Sequence, residues 1–232
     1  MSEIAIVTAA GSGIGAACAH KLDEEGYRPV LLSPSGSAVE VANDLGGDGF
    51  EGLVTDPDDL AALVETTYER YGRIDAVVNN TGHPPIGDLL DITDEEWHDG
   101  LDLVLLNTVR MARLVTPIME EQGRGSIVNI STFSAFEPSI EFPVSSVLRA
   151  GLGCFTKLYA DQYAATGIRM NTVQPGFVDS YEVDEETSAQ IPMQRPARTE
   201  EIADVVAYLL SPESSYITGQ NVRVDGGLTA SV

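Results

Sequence analysis

Short apolar runs rich in β-branched residues recur along the chain, separated by stretches in which apolar residues return every third or fourth position. The runs are Ile4–Thr8, Val30–Leu32, Ala76–Asn79, Ser126–Ser131 and Ile168–Gln174, with weaker ones near Gly52–Val54 and Asn221–Val224. Each is short enough for a strand and too continuous for a half-exposed one. Between them, PDDLAALVETTYERYG places apolar or aromatic residues at 60, 63, 64, 68 and 71, one face of a helix. Asp56 is its expected N-cap, Pro57 suits the first turn and Gly72 the C-terminal stop. Thr93 and Glu96 have the spacing of a capping box. A long helix is expected from about Val144 to Ala165, ending at Gly167. Strand–helix alternation of this kind predicts an α/β fold, a mainly parallel sheet covered on both faces. With no repeat, low-complexity segment or linker, residues 1–232 read as one domain.

Charge changes the picture most. Thirty-six acids against thirteen bases give a net charge of −23. The only lysines are Lys21 and Lys157, and the acids are scattered along helix faces rather than gathered in a tail. Such a surface repels phosphate, which excludes nucleic acid and anionic membrane as expected partners. It fits a halophilic protein, whose self-repulsion is screened by salt. No apolar run reaches bilayer-spanning length, and the N-terminus lacks a basic stretch before its first strand, so a cytoplasmic location is expected. Cys18 and Cys154 read as two buried thiols within helices. His20 and His98 read as helix-surface residues, and no spacing predicts a metal site.

The chemistry begins where the first strand meets AAGSGIGAACAHKL. Gly11, Gly13 and Gly15 stand at a strand-to-helix turn, where bare main chain turns tightly and a helix N-terminus offers free N–H groups to a diphosphate. Read as TAAGSGIG, the segment resembles the T-G-x-x-x-G-x-G of the short-chain dehydrogenase/reductase family. Further matches follow in order: Asn79-Asn80-Thr81-Gly82 is similar to N-N-A-G, Asn107 to the family's helix asparagine, IVNIST (127–132) to the strand ending at the catalytic serine, Pro175–Ser180 to P-G-x-V-x-T, and YITGQNVRVDGG (216–227) to the last strand. The resemblance covers essentially the whole chain. It implies a single doubly wound (Rossmann) domain with seven strands, and a homo-oligomer, tetramer or dimer, with the 93–117 and 144–165 helices at an interface. It also implies a dinucleotide held by Gly11, Ser12, Gly13, Ile14 and Gly15, with Asn80 at the adenosine ribose and Ser180 at the nicotinamide amide.

Three departures bear on the cofactor. Ala9 replaces the first family glycine, Leu53 replaces the acid at the adenine amino group, and Ser33 ends the second strand where NAD-preferring members carry an acid. Without that acid a 2′-phosphate meets no repulsion, and Ser33, Ser35 and Ser37 offer hydroxyls to it, although no base stands near, since Arg28 precedes the strand. NADP is therefore expected slightly ahead of NAD.

The catalytic positions depart further. By the resemblance, Asn107 holds a relay water and Thr132, beside Ser131, takes the serine's place. Ser145 stands where the family has its tyrosine and Arg149 where it has its lysine. The 145 and 149 side chains share one helix face. A phenol near pH ~10 can be brought down by a neighbouring cation. An aliphatic alcohol requires a base, and a guanidinium cannot be one. Arg149 can donate to ribose hydroxyls or to an oxyanion. His83, after Asn79-Asn80-Thr81-Gly82, is the leading substitute proton carrier. Tyr181, Glu137 and Glu141 are weaker candidates, and Lys157, about 12 Å farther along the helix, is too distant.

The leading reading is an atypical NAD(P)-dependent oxidoreductase acting on a small-molecule carbonyl or alcohol. The alternatives are a non-catalytic dinucleotide-binding sensor or scaffold, and a cofactor-independent lyase of the halohydrin-dehalogenase type. That last branch keeps the tyrosine and loses the glycine loop, the reverse of this chain.

Overall fold

The computed structural model describes residues 2–231. Seven strands, β1 (Glu3–Thr8), β2 (Tyr27–Ser33), β3 (Asp48–Glu51), β4 (Ala76–Asn79), β5 (Gly125–Ile130), β6 (Ile168–Pro175) and β7 (Asn221–Val224), form one sheet in the order β3-β2-β1-β4-β5-β6-β7. Every pairing is parallel, from Glu3 opposite Tyr27 to Pro175 opposite Val224. The order reverses between β1 and β4, which opens a crevice at their C-terminal ends.

The helices are α1 (Gly13–Glu24), α2 (Ser37–Asp44), α3 (Pro57–Tyr71), α4 (Asp94–Leu101), α5 (Asn107–Gln122), α6 (Pro143–Tyr163), α7 (Glu185–Gln190) and α8 (Thr199–Leu210). They cover both faces, because the strands are apolar on both. In β1, Ala5 and Val7 enter a cluster with Cys18, Leu22, Val206 and Leu209, whereas Ile4 and Ile6 enter one with Leu60, Leu63, Met111 and Met119. This two-residue alternation divides the core into two layers. Each fully buried Leu or Ile contributes roughly 1.5–3 kcal/mol.

Helix ends follow the local signals. The Asp56 side chain accepts from the Asp58 N–H, Pro57 starts α3, and Gly72 at φ 68° stops it. Thr93 and Glu96 form the capping box of α4. The α6 helix ends at Tyr163, a 3₁₀ turn follows, and Gly167 at φ 84° closes it.

Four expectations need correction. The third strand is Asp48–Glu51, not Gly52–Val54: Gly49 packs against the Val39 backbone, whereas the Leu53 N–H is taken by the Asp59 carboxylate. Arg28 lies inside β2, where its guanidinium donates to the Tyr71 hydroxyl. Cys18 is buried and its thiol pushed up to about 12 by desolvation, but Cys154 is exposed on the outer face of α6. A π-helical turn, Asp102–Leu106, interrupts the run between α4 and α5. No helix among the described residues is long and apolar enough to cross a membrane.

Candidate active site

A cleft of about 700 Å³ runs across the C-terminal ends of β1, β4, β5 and β6. Its wall contains no Asp or Glu, in a chain with 36 of them, and Arg149 is its one permanently charged residue. This acid-free lining is suited to an anionic ligand. Among the described residues no group of three metal-ligating side chains comes together.

At one end the wall is main chain. Ser12 is the extended N-cap of α1; its side chain caps nothing, and the first turn carries no acid, so the helix N-terminus presents free N–H groups. The glycines around it each answer a separate steric demand. Gly13 adopts φ 54°, where a side chain would also meet Ser180 at 3.2 Å. A Cβ on Gly15 would lie 2.3 Å from the Ala9 carbonyl oxygen, so only glycine lets α1 pack against β1. A Cβ on Gly11 would strike the Ser37 side chain. Ile14 completes the wall there. Ala9 holds a left-handed φ of 47°, a conformation that favours glycine and costs a residue with a Cβ about 1–3 kcal/mol.

Asn80 fixes that turn. Its N–H donates to Thr8 Oγ1 (2.9 Å), its amide to the Ala9 carbonyl (3.2 Å), and Thr8 Oγ1 donates to the Asn80 carbonyl (2.7 Å). The asparagine expected at the adenosine ribose thus also ties β1 to β4. The Ser33 hydroxyl is committed as well: it donates to the Ser35 carbonyl (2.6 Å) and accepts from the Ala38 N–H (3.1 Å). The hydroxyls of Ser35 and Ser37, 2.8 Å apart, remain at the cleft edge, opposite Leu53. The bare cradle, the uncapped helix end and the acid-free wall together fit a dinucleotide diphosphate.

At the other end the wall is made of side chains. Thr132 follows β5 and opens a 3₁₀ turn, Phe133–Ala135. Ser145 stands near the start of α6 and Arg149 one turn on, and all three line the cleft with His83 and Tyr181. Arg149 is 6% exposed. Its guanidinium donates to the carbonyls of Ile130 (2.6 Å) and Gly82 (3.4 Å), and desolvation brings its pKa down to about 10. Thr81 Oγ1 and Ser131 Oγ, on the residues next in sequence to those two acceptors, are buried without hydrogen-bond partners. The His83 and Tyr181 rings pack nearly perpendicular, with centroids 5.8 Å apart. Its imidazole is held below its ordinary value, first by desolvation and then by Arg149, and burial pushes the Tyr181 phenol up. Ser180 lies against Gly13, where the two ends meet.

Not every candidate reaches the cleft. Asn107 is buried just after the π-helical turn; its amide donates to the Leu103 carbonyl and accepts from the Thr108 hydroxyl. Leu103, one turn earlier, lines the wall instead. Glu137 is turned to the chain's C-terminal end, where it accepts from the Ser231 N–H (2.7 Å) and hydroxyl. Glu141 is exposed and outside the wall, and Lys157 is paired with Asp161. Sequence reasoning missed the apolar end of the wall, formed by Phe133, Phe142 and Phe177. The legible signal was an aromatic on each loop next to a motif position.

Comparison with known proteins gives a consistent picture. A family model described as enoyl-(acyl carrier protein) reductase matches residues 8–229. The 3-oxoacyl-(acyl carrier protein) reductase FabG of Vibrio cholerae is 33% identical over 236 residues, covering 97% of both chains. Dehydrogenase/reductase SDR family member 4 of Pongo abelii is 33% identical over 242 residues, covering 97% of this chain and 87% of its own. L-sorbose reductase from Gluconobacter frateurii, solved with NADPH and L-sorbose, superposes with a TM-score of 0.92 at 26% identity over 100% of this chain and 98% of its own. YwfH, an NADPH-dependent reductase involved in bacilysin biosynthesis, shares the fold over the full length of both chains at a TM-score of 0.95 and 24% identity.

Proposed function

The chain belongs to the short-chain dehydrogenase/reductase family, and from that premise we propose that it is an atypical NAD(P)-dependent oxidoreductase acting on a carbonyl/alcohol pair. The observation that carries the reading is the uncapped, acid-free N-terminus of α1 with Gly13 and Gly15 beneath it. Gly11 through Gly15 would hold the diphosphate, with Asn80 and Ser180 flanking it. When bound, the dinucleotide supplies or accepts a hydride. The Thr132 and Ser145 hydroxyls orient the substrate oxygen. Desolvation and then Arg149 lower the His83 pKa, which favours the neutral imidazole, a proton acceptor in the oxidising direction and a poor acid in the reducing one. In that direction the proton comes from water. NADP is favoured over NAD, because Ser35 and Ser37 offer hydroxyls where no carboxylate repels a 2′-phosphate.

Calorimetry with NADPH and NADH in molar salt tests the reading, followed by a panel of carbonyls and alcohols. Uptake of NADPH more tightly than NADH, with slow turnover, is expected; uptake of neither overturns it. Ser145 in the tyrosine's place favours a second reading, a dinucleotide-binding sensor or scaffold, and binding without turnover on any substrate would establish that one. A homo-oligomer, tetramer or dimer, is proposed on the family resemblance, supported by Val147 and Leu158 standing 57% and 68% exposed on α6.

A further inference from the structure

We infer that the β4–β5 end of the cleft is an anion subsite, and that the substrate carries a carboxylate on an apolar body with Arg149 as its partner. The inference rests on the oxidoreductase reading above and adds the substrate class to it.

The first ground is an unbalanced charge. The guanidiniums of Arg70, Arg73, Arg110, Arg124 and Arg195 each meet a carboxylate. Arg169, partly buried without one, is held by the carbonyls of Leu209, Leu210, Ser211 and Ile217. Arg149 is more deeply buried and has two carbonyls, one of them at 3.4 Å. A guanidinium has five N–H donors, so three are left without a protein acceptor. A buried cation without a counter-ion costs folding stability, and a bound carboxylate offsets that cost while matching the planar fork.

The second ground is the surroundings. Thr81 and Ser131, next in sequence to the two residues whose carbonyls Arg149 touches, belong to the cleft lining, and their hydroxyl oxygens are buried without partners. Ser145 lies one turn away on α6, and a serine there leaves open the space a phenol ring would fill. No acid in the wall competes for the guanidinium. The subsite is separate from the diphosphate cradle. Arg149 is bonded over the ends of β4 and β5, whereas the cradle follows β1, and the two lie roughly 5–10 Å apart across the sheet at ~4.8 Å per strand.

The third ground is the apolar wall. Phe133 and Phe177 pack with centroids 5.4 Å apart, and Phe142 joins them on the cleft lining. A ligand with a carboxylate at one end and a hydrocarbon or aromatic body fits both features.

Phenylacetate and its neutral isostere phenylacetamide test the assignment by calorimetry on the NADPH-saturated protein at fixed ionic strength. Phenylacetate is expected to bind at least tenfold more tightly than the amide. That preference should fall to near parity in Arg149→Met and to an intermediate value in Arg149→Lys. Equal binding of the two probes, or binding of neither, by a protein that has taken up NADPH overturns the subsite and leaves the oxidoreductase reading standing. Failure to take up NADPH overturns that reading, and the inference with it. The wild-type ratio is decisive even if a variant does not fold.

Discussion

At the β1–α1 end of the cleft, what faces a ligand is main chain: N–H groups at the start of α1 and glycines that let the backbone approach. At the β4–β5 end it is side chains: Thr132, Ser145, Arg149 and His83. The first end depends on the missing Cβ at Gly11, Gly13 and Gly15. The second is decided by side-chain identity, and its Arg149 also bonds the Ile130 and Gly82 carbonyls. A family fold can therefore keep its nucleotide cradle while the residues that move the proton are replaced.

The sharpest way to break the comparison is to add bulk to the cradle. Gly13→Asp combines a side chain at φ 54° with an acid at the diphosphate site, and should weaken dinucleotide binding by at least ~100-fold, about 2.7 kcal/mol, in calorimetry. Retained affinity would remove the cradle assignment. At the other end, the double change Ser145→Tyr with Arg149→Lys should raise carbonyl reduction by roughly 10²–10⁴-fold, the ordinary range of general-acid help, in a steady-state assay. No gain would show that the side-chain end has diverged beyond these two positions.

Salt acts on what both ends share, an acid-free wall inside a surface of net charge −23. An anionic coenzyme approaching that surface is repelled at low ionic strength, so its dissociation constant should fall on the order of tenfold from low to molar salt. The opposite trend would mean that Arg149 and the helix N-terminus dominate the field. Melting temperature should rise over the same range; an unchanged value would count against salt adaptation. The smallest effect is expected at Ala9. Relieving its left-handed strain by Ala9→Gly should stabilise the fold by about 1 kcal/mol, seen as about 2–4 °C in Tm, without changing turnover.

What sequence alone settled was whatever is decided within a few residues. A strand with two apolar faces, the Asp56 cap, the Thr93–Glu96 box and the Gly72 and Gly167 stops depend on neighbours three or four positions away, and each stands where its spacing predicts. The cradle was legible for the same reason, since its glycines follow their strand directly. Contacts between distant segments were not. Glu137 is drawn away from the cleft by Ser231, 94 positions on, and Cys154 faces out because α6 turns its other side to the core. The third strand shifted because Gly49 alone allows the Val39 backbone so close. Ser33 exhausts its hydroxyl on its own loop, and Asn107 stands one turn past the wall. Above all, an arginine in a sequence is only a cation. Burial among carbonyls, in a cleft whose lining holds no Asp or Glu, is a property of the packed chain, because the charge balance of a site is summed over groups that meet only when the sheet is assembled.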